Sequence, residues 1–311
     1  MGAERREVTI NGLLRYEQCP RKYQLRDVLG RPSGDTFALR YGRVLHEVAE
    51  WLQGRALGTW RRGRRAGERP ELACCGPALS RVIAEFWRRW RAAEHARPLP
   101  EPASPAQATR QRRDLENLPA MLGMLSDHLL QDPIVVVGEQ FGRARTRWTG
   151  SPGLRVTEQA VLSGKMDRIV EREGALVVED LSTSRRRPDV LTLPFDLHLN
   201  LWALAAEEFI GDPDALAIYD LRRGEVVQVP YDRAVAHHLM DEIVAPLAVL
   251  IEQGHFPKTP HGGWGCRYCG CFGPCWTEPP LSLTTALAQG ASGPQSAGRP
   301  GGSPARRRQA V

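Results

Sequence analysis

The cysteine pattern near the end of the chain constrains the fold more than any other feature. Of the seven cysteines, four lie in the segment GCRYCGCFGPC, which contains C-x2-C-x5-C through Cys266, Cys269 and Cys275, with Cys271 as an additional thiol. A tight group of thiols in a reducing compartment is typical of a metal site rather than of disulfides. Zinc and iron–sulfur clusters both accept four thiolates, so the spacing alone leaves the metal open.

A site with three ligands in one loop requires a fourth from elsewhere in the chain. Cys19, at a predicted helix end before Pro20, is the best isolated candidate, whereas Cys74 and Cys75 lie in a loop of weak character. The alternative is that Cys19 is a buried apolar cysteine and that only the C-terminal loop binds metal.

The first 130 residues are predicted to be mainly helical. A helix is predicted to start after Asn11, a good N-cap residue, and to be interrupted at Pro20. Apolar residues at helical spacing predict further helices at Tyr23–Val28, 38–53, 78–93 and 114–130. The Arg/Gly-rich residues 54–70 are predicted to form a loop, and the Pro/Ala-rich residues 97–108 a linker.

Short β-branched runs then predict a small sheet. The predicted strands are Val135–Phe141, Arg155–Leu162, Gly164–Glu171, Ala175–Leu181, Ala215–Asp220 and Val226–Pro230. Helices are predicted at Pro194–Phe209 and Ala234–Gln253, followed by a Cys-rich knot at 264–276. From residue 278 the Ala/Gly/Ser/Pro/Arg composition predicts a disordered basic tail, 278–311.

The charge is unevenly distributed along the chain. Residues 54–113 hold 14 arginines and 5 acidic residues, and residues 281–311 hold 4 arginines and no acid, against a net charge of +6 for the whole chain. Such segments fit a polyanion partner, although solvated surface gives the same pattern. Trp87 and Trp90 lie among the arginines and are candidates for stacking on bases, with core packing as the alternative. No apolar run approaches 18 residues, which favours a cytoplasmic protein without a membrane span.

Five short motifs in a fixed order resemble the RecB-type nucleases of the PD-(D/E)XK superfamily. The segment NGLLRYEQCPRKYQL resembles their N-terminal signature through Tyr16, Cys19, Pro20 and Tyr23, and YGRVLHEVAE resembles the Gly…His motif. GKMDRIV, VVEDLSTS and HLNLWALA resemble the two carboxylate-bearing strands and the helix that follows them. With its C-x2-C-x5-C end, the chain is similar to the iron–sulfur subgroup, which includes the CRISPR adaptation nuclease and the AddB C-terminal nuclease domain.

The resemblance implies an α/β fold with a central mixed β-sheet flanked by helices, spanning residues 9–277. Residues 54–113 would be a basic helical or loop insertion. It implies that His46, Asp167 and Asp180 hold Mg²⁺ or Mn²⁺ for phosphodiester hydrolysis. It also implies that a 4Fe–4S cluster is held by Cys19, Cys266, Cys269 and Cys275. A cluster that joins both chain ends is expected to stabilise the whole fold.

Two motifs depart from the family pattern. Ser182 stands where the water-activating lysine is expected, and serine carries no charge. Arg185–Arg187 supply positive potential but cannot deprotonate water, since guanidinium stays protonated. Lys165 is predicted by strand alternation to share a face with Asp167 and is a minor candidate to replace the lysine. His198 stands where Gln is usual and is a further candidate for a metal or strand contact, and Trp202 replaces Tyr on the same helix face.

These motifs are compatible with two functions, one of an enzyme and one of a binding protein. The first is a metal-dependent DNA nuclease that acts on single strands or ends in repair, recombination or related processing. The second is a catalytically impaired relative that binds DNA or serves as a scaffold subunit. A zinc-knuckle interaction protein is a poorer third reading, since it explains only the cysteines. No G-x4-G-K-[ST] motif is present, so a helicase activity would come from a partner protein.

Overall fold

The computed structural model describes residues 6–31, 34–65, 71–132, 134–137, 140–141, 154–155, 160–258, 266, 269–271 and 275. The predicted tail at 278–311 lies outside these residues, as does most of the predicted Cys-rich knot. The described part is a mixed α/β structure, as predicted, with helices on both sides of a mixed sheet.

Helices dominate the first half of the chain. They are α1 (Ile10–Gln18), α2 (Pro20–Tyr23), α3 (Phe37–Arg65), α4 (Leu79–Ala96), α5 (Pro105–Glu116) and α6 (Leu118–Leu129), with a π-helical turn at Gln24–Val28 after α2 and a 3-10 turn at Leu72–Cys75. Thr9 caps α1 by accepting a hydrogen bond from the Gly12 amide, so the prediction of Asn11 as N-cap was wrong. The helix still ends at Cys19, before Pro20, as predicted.

The predicted loop at 54–70 is in fact helical as far as Arg65, because α3 continues through it. Ala56 is fully buried and Trp60 packs against the core, so apolar contacts hold the helix together despite its arginines and glycines. The predicted linker at 97–108 is likewise helical from Pro105, where Ser104 caps α5 through the Gln107 amide. The sequence-predicted helix at 114–130 is split between α5 and α6.

The strands and the remaining helices follow. They are β1 (Arg6–Thr9), β2 (Ile134–Val137), β3 (Gln140–Phe141), β4 (Leu154–Arg155), β5 (Ala160–Lys165), β6 (Arg168–Arg172), β7 (Ala175–Ser182), α7 (Leu197–Phe209), β8 (Ala215–Asp220), β9 (Glu225–Pro230), α8 (Arg233–Leu239) and α9 (Ala245–Glu252). A 3-10 turn, Leu193–Phe195, precedes α7, and a π-helical turn, Met240–Val244, joins α8 to α9.

The strands form two sheets that meet at one junction. Five strands pair in the order β2-β6-β7-β8-β9, with β7 and β8 parallel and the other pairs antiparallel. The second sheet pairs β1 in parallel with β5, which also pairs with β3 and β4. The chain passes from the second sheet to the first at Met166–Asp167, between β5 and β6. This junction interrupts the continuous strand, Gly164–Glu171, that the sequence predicts.

Two large apolar cores cover the two faces of the five-stranded sheet, and a small third cluster forms around Val177 and Ala217. One core joins Val178 and Leu216 to α1, α7 and the helices after β9. The other joins Leu181 and Tyr219 to α3, α4 and α6. Successive residues of β7 therefore face different cores, as strand geometry requires. Trp87 and Trp90 are half-buried against the second core, which supports core packing for these two residues.

One described helical run, Arg233–Glu252, has the length and composition of a membrane span, with 20 residues and a mean hydropathy of 1.5. Core helices of soluble proteins show the same composition, and here Ala236, Val244 and Ile251 are buried in the core around α7. Ala248 is also buried. Burial in the core therefore accounts for part of the apolar composition of Arg233–Glu252.

Candidate active site

Two carboxylates meet where the sheets join. Asp167 lies in the junction before β6, and Asp180 lies near the carboxyl end of β7, the neighbouring antiparallel strand. The Leu181 amide donates a hydrogen bond to Asp167 Oδ2 at 3.0 Å, which fixes this carboxylate beside β7. Backbone pairing between β6 and β7 therefore brings the two predicted carboxylates together.

His46 reaches this pair from α3. Its Nδ1 lies 3.2 Å from Oδ1 and 3.1 Å from Oδ2 of Asp167. Gly42, one turn earlier on α3, lies against Thr183, and a Cβ built at this glycine would come 2.9 Å from Thr183 Oγ1. The absence of a side chain at Gly42 thus lets α3 approach the end of β7, and the Gly…His spacing places His46 beside Asp167.

The three groups strongly affect one another's protonation. Burial alone would lower the pKa of His46, but the charges of Asp167, Asp180 and Glu50 and the hydrogen bond to Asp167 raise it to about 9. Burial acts against ionisation of Asp167, yet the His46 charge, its hydrogen bond and the Leu181 amide hold the pKa of this carboxyl below its usual range. Burial and the negative charge of Asp167 raise the pKa of Asp180 well above its ordinary value. Among the described residues, the acids Asp167, Asp180 and Glu50 thus carry more negative charge than His46 can neutralise.

Ser182 occupies the end of β7 two residues beyond Asp180. By strand alternation the two side chains share a face, and Ser182 Oγ accepts a hydrogen bond from the Ser184 amide at 3.3 Å. Nearby arginines are engaged elsewhere: Arg185 pairs with Asp114 at 2.6 Å and Arg187 with Glu225 at 2.8 Å. These positions do not supply a base to replace the expected lysine.

Lys165 is at the end of β5 and pairs with Glu50 of α3. β5 ends at Lys165, so Lys165 and Asp167 do not lie in one strand, but both contact the same face of α3, Lys165 through Glu50 and Asp167 through His46. The use of Lys165 in place of the lysine stays a prediction. The sequence motifs did not point to Glu50, although its position one helical turn after His46 predicts that the two side chains lie on the same face of α3. Its carboxylate acts on both His46 and Lys165.

His198 lies near the site on α7. Its ring centroid is 4.2 Å from that of Trp202, so these residues share one helix face as predicted. Burial lowers the pKa of His198, although the charges of Asp196 and Asp167 act in the opposite direction. Asp196, a second residue missed from the sequence, caps α7 through the Leu199 amide and also acts on Asp180.

Cys19 and Cys269 lie close enough to Cys275 to act on its ionisation. Burial raises the pKa of the Cys275 thiol, and the charges that act on it include those of Lys258, Cys19 and Cys269. Cys271 is buried, and its raised pKa reflects burial together with Cys269. The Arg21 amide also donates to the Pro257 carbonyl at 3.2 Å, which joins α2 to the segment leading to the cysteines.

The lesser cysteine candidates lie in a different part of the molecule. Cys74 is exposed in the 3-10 turn at Leu72–Cys75. Cys75 is buried in the core around α3, α4 and α6, where its thiol donates to the Glu71 carbonyl. The structure therefore separates these two thiols from the cysteines of the chain ends.

The donors of the two sites differ in chemistry. The donors at the sheet junction are carboxylates and an imidazole, whereas the donors at the chain ends are thiols. Within the described ranges, no group of three or more His, Cys, Asp or Glu side chains is arranged to hold a metal ion. At the carboxylate pair, His46 and the Leu181 amide already occupy the oxygens of Asp167.

Comparison with known proteins gives the family of the chain. The family model for the PD-(D/E)XK nuclease superfamily matches residues 7–275, more than half of the sequence. The protein belongs to the PD-(D/E)XK nuclease superfamily. A solved structure described as "Crystal structure of SSO0001" is 12% identical, covers 87% of this chain and 86% of that chain, and gives a TM-score of 0.35, which carries no functional argument. No curated protein sequence matches this chain significantly.

Proposed function

We propose that the protein is a divalent-metal-dependent DNA nuclease of the RecB type that hydrolyses phosphodiesters in single strands or at strand ends. The nuclease domain would span residues 9–277, with 54–113 as a basic insertion. The observation that carries the proposal is the convergence of His46, Asp167 and Asp180 at the junction of the two sheets. A role in DNA repair, recombination or related processing, with a helicase or repair protein as partner, is consistent with this activity.

The chemistry of the donors fits Mg²⁺ or Mn²⁺. Both ions prefer oxygen ligands, and two neighbouring carboxylates repel one another when no cation lies between them. Burial is the largest cause of the raised pKa of Asp180, and repulsion by the charge of Asp167 adds to it. Asp167, Asp180 and the neutral form of His46 would hold the ion, so binding would release the proton that the neighbouring acids favour on His46. When bound, such an ion activates water and neutralises charge on the phosphate.

The surrounding residues hold this site in position. Hydrogen bonds from His46 and the Leu181 amide orient the Asp167 carboxylate, and the Asp196 carboxylate fixes the start of α7 beneath His198. His198, whose burial favours the neutral imidazole, is the remaining candidate to accept a proton from water. Ser182 can donate or accept a hydrogen bond to water but cannot supply charge.

Cleavage of labelled single-stranded DNA in Mn²⁺ or Mg²⁺ tests the proposal. The wild type should cleave, EDTA should stop the reaction, and Asp167→Asn should remove it. Asp212→Asn is the matched control, because Asp212 is a 79% exposed carboxylate that pairs with Arg233, away from the site. Activity that survives in Asp167→Asn would reject this active site.

The competing function is a non-cutting DNA-binding or scaffold subunit. The specific observation that favours it is Ser182 in place of the lysine. A wild type that binds DNA without cutting, beside a Ser182→Lys variant that cuts, would establish this second function. Equal cleavage by both proteins would show that the natural site works without a lysine.

We further propose that Cys19, Cys266, Cys269 and Cys275 hold a 4Fe–4S cluster. Thiolates are the usual ligands of such clusters, and the mutual influence of Cys19, Cys269 and Cys275 supports their use together. Protein purified without oxygen should be brown and contain iron and sulfide, and Cys19→Ser should lose both. Cys74→Ser, at an exposed cysteine, is the control. Stoichiometric zinc without iron would exclude the cluster.

A further inference from the structure

Three exposed apolar side chains lie together in the segment that joins β7 to α7. Val190 is 55% exposed, Leu191 77% and Phe195 61%, and we call these three residues the apolar turn. The other large apolar side chains exposed in the described chain are scattered singly over α3, α4, β9 and α9, as is normal for a soluble protein. A group of exposed apolar side chains within six residues is instead typical of a contact surface.

Hydrogen bonds hold the apolar turn in one conformation. The Asp189 carbonyl accepts from the Leu193 amide at 2.9 Å, and Asp189 Oδ1 accepts from the Leu191 amide at 3.0 Å. Leu193 is buried in the core around α7, and the buried side chain of Asn200 donates to the Pro194 carbonyl at 3.0 Å. Because the backbone is already fixed, a ligand that contacts the apolar turn loses little free energy to ordering it.

Both ends of this segment belong to the candidate active site. The segment leaves β7 after Asp180 and Ser182, and it returns at Asp196, which caps α7 and whose charge acts on Asp180. Phe195 directly precedes Asp196, so the Cα atoms of these two residues are about 3.8 Å apart. His198 follows in the first turn of α7. The apolar turn therefore stands beside the carboxylates and not on a remote surface.

The charge of the segment indicates which ligand fits the apolar turn. Residues 183–195 hold three arginines and one acid, Asp189. Arg185 and Arg187 are paired with carboxylates, whereas Arg186 is exposed and has no carboxylate partner among the described residues. An apolar surface beside a positive charge matches a single strand of nucleic acid, which offers base faces next to phosphates.

We propose that Phe195 stacks on an unpaired base of the strand whose phosphodiester lies at Asp167 and Asp180, with Val190 and Leu191 against the neighbouring nucleotide. The inference rests on the proposed function and adds to it the recognition of a base. A base face is free only where the strand is single or its end is frayed, so this contact would select single strands and strand ends. Stacking is tolerant of sequence, because every base has a π face.

Binding of fluorescent single-stranded oligonucleotides, measured by anisotropy without divalent metal across a salt series, tests the inference. Phe195→Ala should bind about tenfold more weakly, whereas Phe195→Trp should keep the affinity, since tryptophan also stacks on bases. The salt slope should stay unchanged in Phe195→Ala, because the substitution removes no phosphate contact. Leu79→Ala is the matched control, since it removes an exposed apolar side chain from α4, outside the apolar turn.

An abasic oligonucleotide of the same length separates stacking from a structural effect, because it keeps the sugars and phosphates but has no bases. The wild type and Phe195→Ala should bind it equally. A loss of the same size on the abasic and the normal strand would overturn the inference. So would unchanged affinity of Phe195→Ala for the normal strand, which would leave the apolar turn as a docking surface for a protein.

Measuring binding without metal keeps this inference distinct from the proposed nuclease activity. If the wild type binds single strands through Phe195 but does not cut them in Mn²⁺, the nuclease proposal fails and the base contact stands. If the wild type cuts and Phe195→Ala keeps its affinity, the base contact fails and the nuclease proposal stands. A wild type that binds no single strand would overturn the inference.

Discussion

Glu179 and Asp180 are neighbours in β7, yet their surroundings on the two faces of the sheet shift the pKa values of their carboxyl groups in opposite directions. Glu179 faces the core around α6, where Arg168 Nε lies 2.7 Å away, His128 Nε2 2.7 Å and Arg172 Nη2 2.8 Å. Burial alone would raise the pKa of Glu179, but these partners lower it to about 2. Asp180 faces Asp167, and its pKa is raised.

This difference separates a structural acid, Glu179, from Asp180, the acid that is proposed to bind metal. The charge of Glu179 is neutralised by Arg168 and Arg172, and His128 adds a hydrogen bond, so the partners of Glu179 join α6, β6 and β7. Within the described part of the chain, His46 is the cationic partner that contacts Asp167, and it cannot balance both Asp167 and Asp180, so the site gains from an added cation. Acids left under-neutralised inside a protein are typical of functional sites, because the fold alone does not favour their ionised form.

The largest effect is expected when Glu179 and Asp180 are changed one at a time. Glu179→Gln should lower the free energy of unfolding by about 3–5 kcal/mol, since it leaves buried Arg168 without its counter-charge. Asp180→Asn should leave this free energy unchanged or higher, because it removes a repulsion, and it should abolish cleavage. Urea denaturation and the single-strand cleavage assay measure the two quantities. Comparable destabilisation by both substitutions would remove the distinction between the faces.

A smaller effect is expected on acidification. Because the pKa of Glu179 in the folded protein is about 2, below its ordinary value of 4.5, its ionised form stabilises the fold above that ordinary value. The contribution, roughly 3 kcal/mol, is lost as the pH falls from about 4.5 to about 2. Urea midpoints between pH 2 and pH 6 follow this loss.

Arg172→Gln should move the acid loss of stability to higher pH, since the hydrogen bond from Arg172 helps to keep the pKa of Glu179 low. Glu225→Gln, in a pair with a 67% exposed arginine, should leave the pH profile unchanged. An Arg172→Gln profile identical to that of the wild type would show that Glu179 does not control stability in acid.

The parts of the fold with strong local signals were predicted well. The strand Ala215–Asp220 was predicted with the bounds that the structure has, and Ala175–Leu181 with an error of one residue, because each is an apolar run between turn residues. The strand β1 was not predicted. It has four residues, and it forms only by pairing with β5, which is more than 150 residues away in sequence.

The sequence names the residues of the candidate site, but it does not predict the charges that surround them. His46, Asp167 and Asp180 were named from motifs, and the structure brings them together. Strand alternation also predicts that Glu179 and Asp180 face opposite ways. Which face neutralises its carboxylate depends on Arg168 and Arg172, helped by a hydrogen bond from His128, and the approach of these residues to Glu179 is a tertiary contact without a local signal. The extension of α3 to Arg65 depends in the same way on the burial of Ala56.

The smallest expected effect concerns the close packing of α3 against the end of β7, which places His46 beside Asp167. In Gly42→Ala the new Cβ would come 2.9 Å from Thr183 Oγ1, so the helix or the strand end must move. We expect a loss of about 1–3 kcal/mol in the free energy of unfolding, which is typical of overpacking, together with slower cleavage.

Gly54→Ala on the same helix is the matched control for this effect, because nothing lies within 4 Å of its built Cβ. It should stabilise the protein by about 0.5–1 kcal/mol, since alanine favours helix more than glycine does. The Glu179 network should be unaffected in both variants, so their acid profiles should match the wild type. If Gly42→Ala behaved like Gly54→Ala in stability and cleavage, close approach of α3 to β7 would not be what holds His46 beside Asp167.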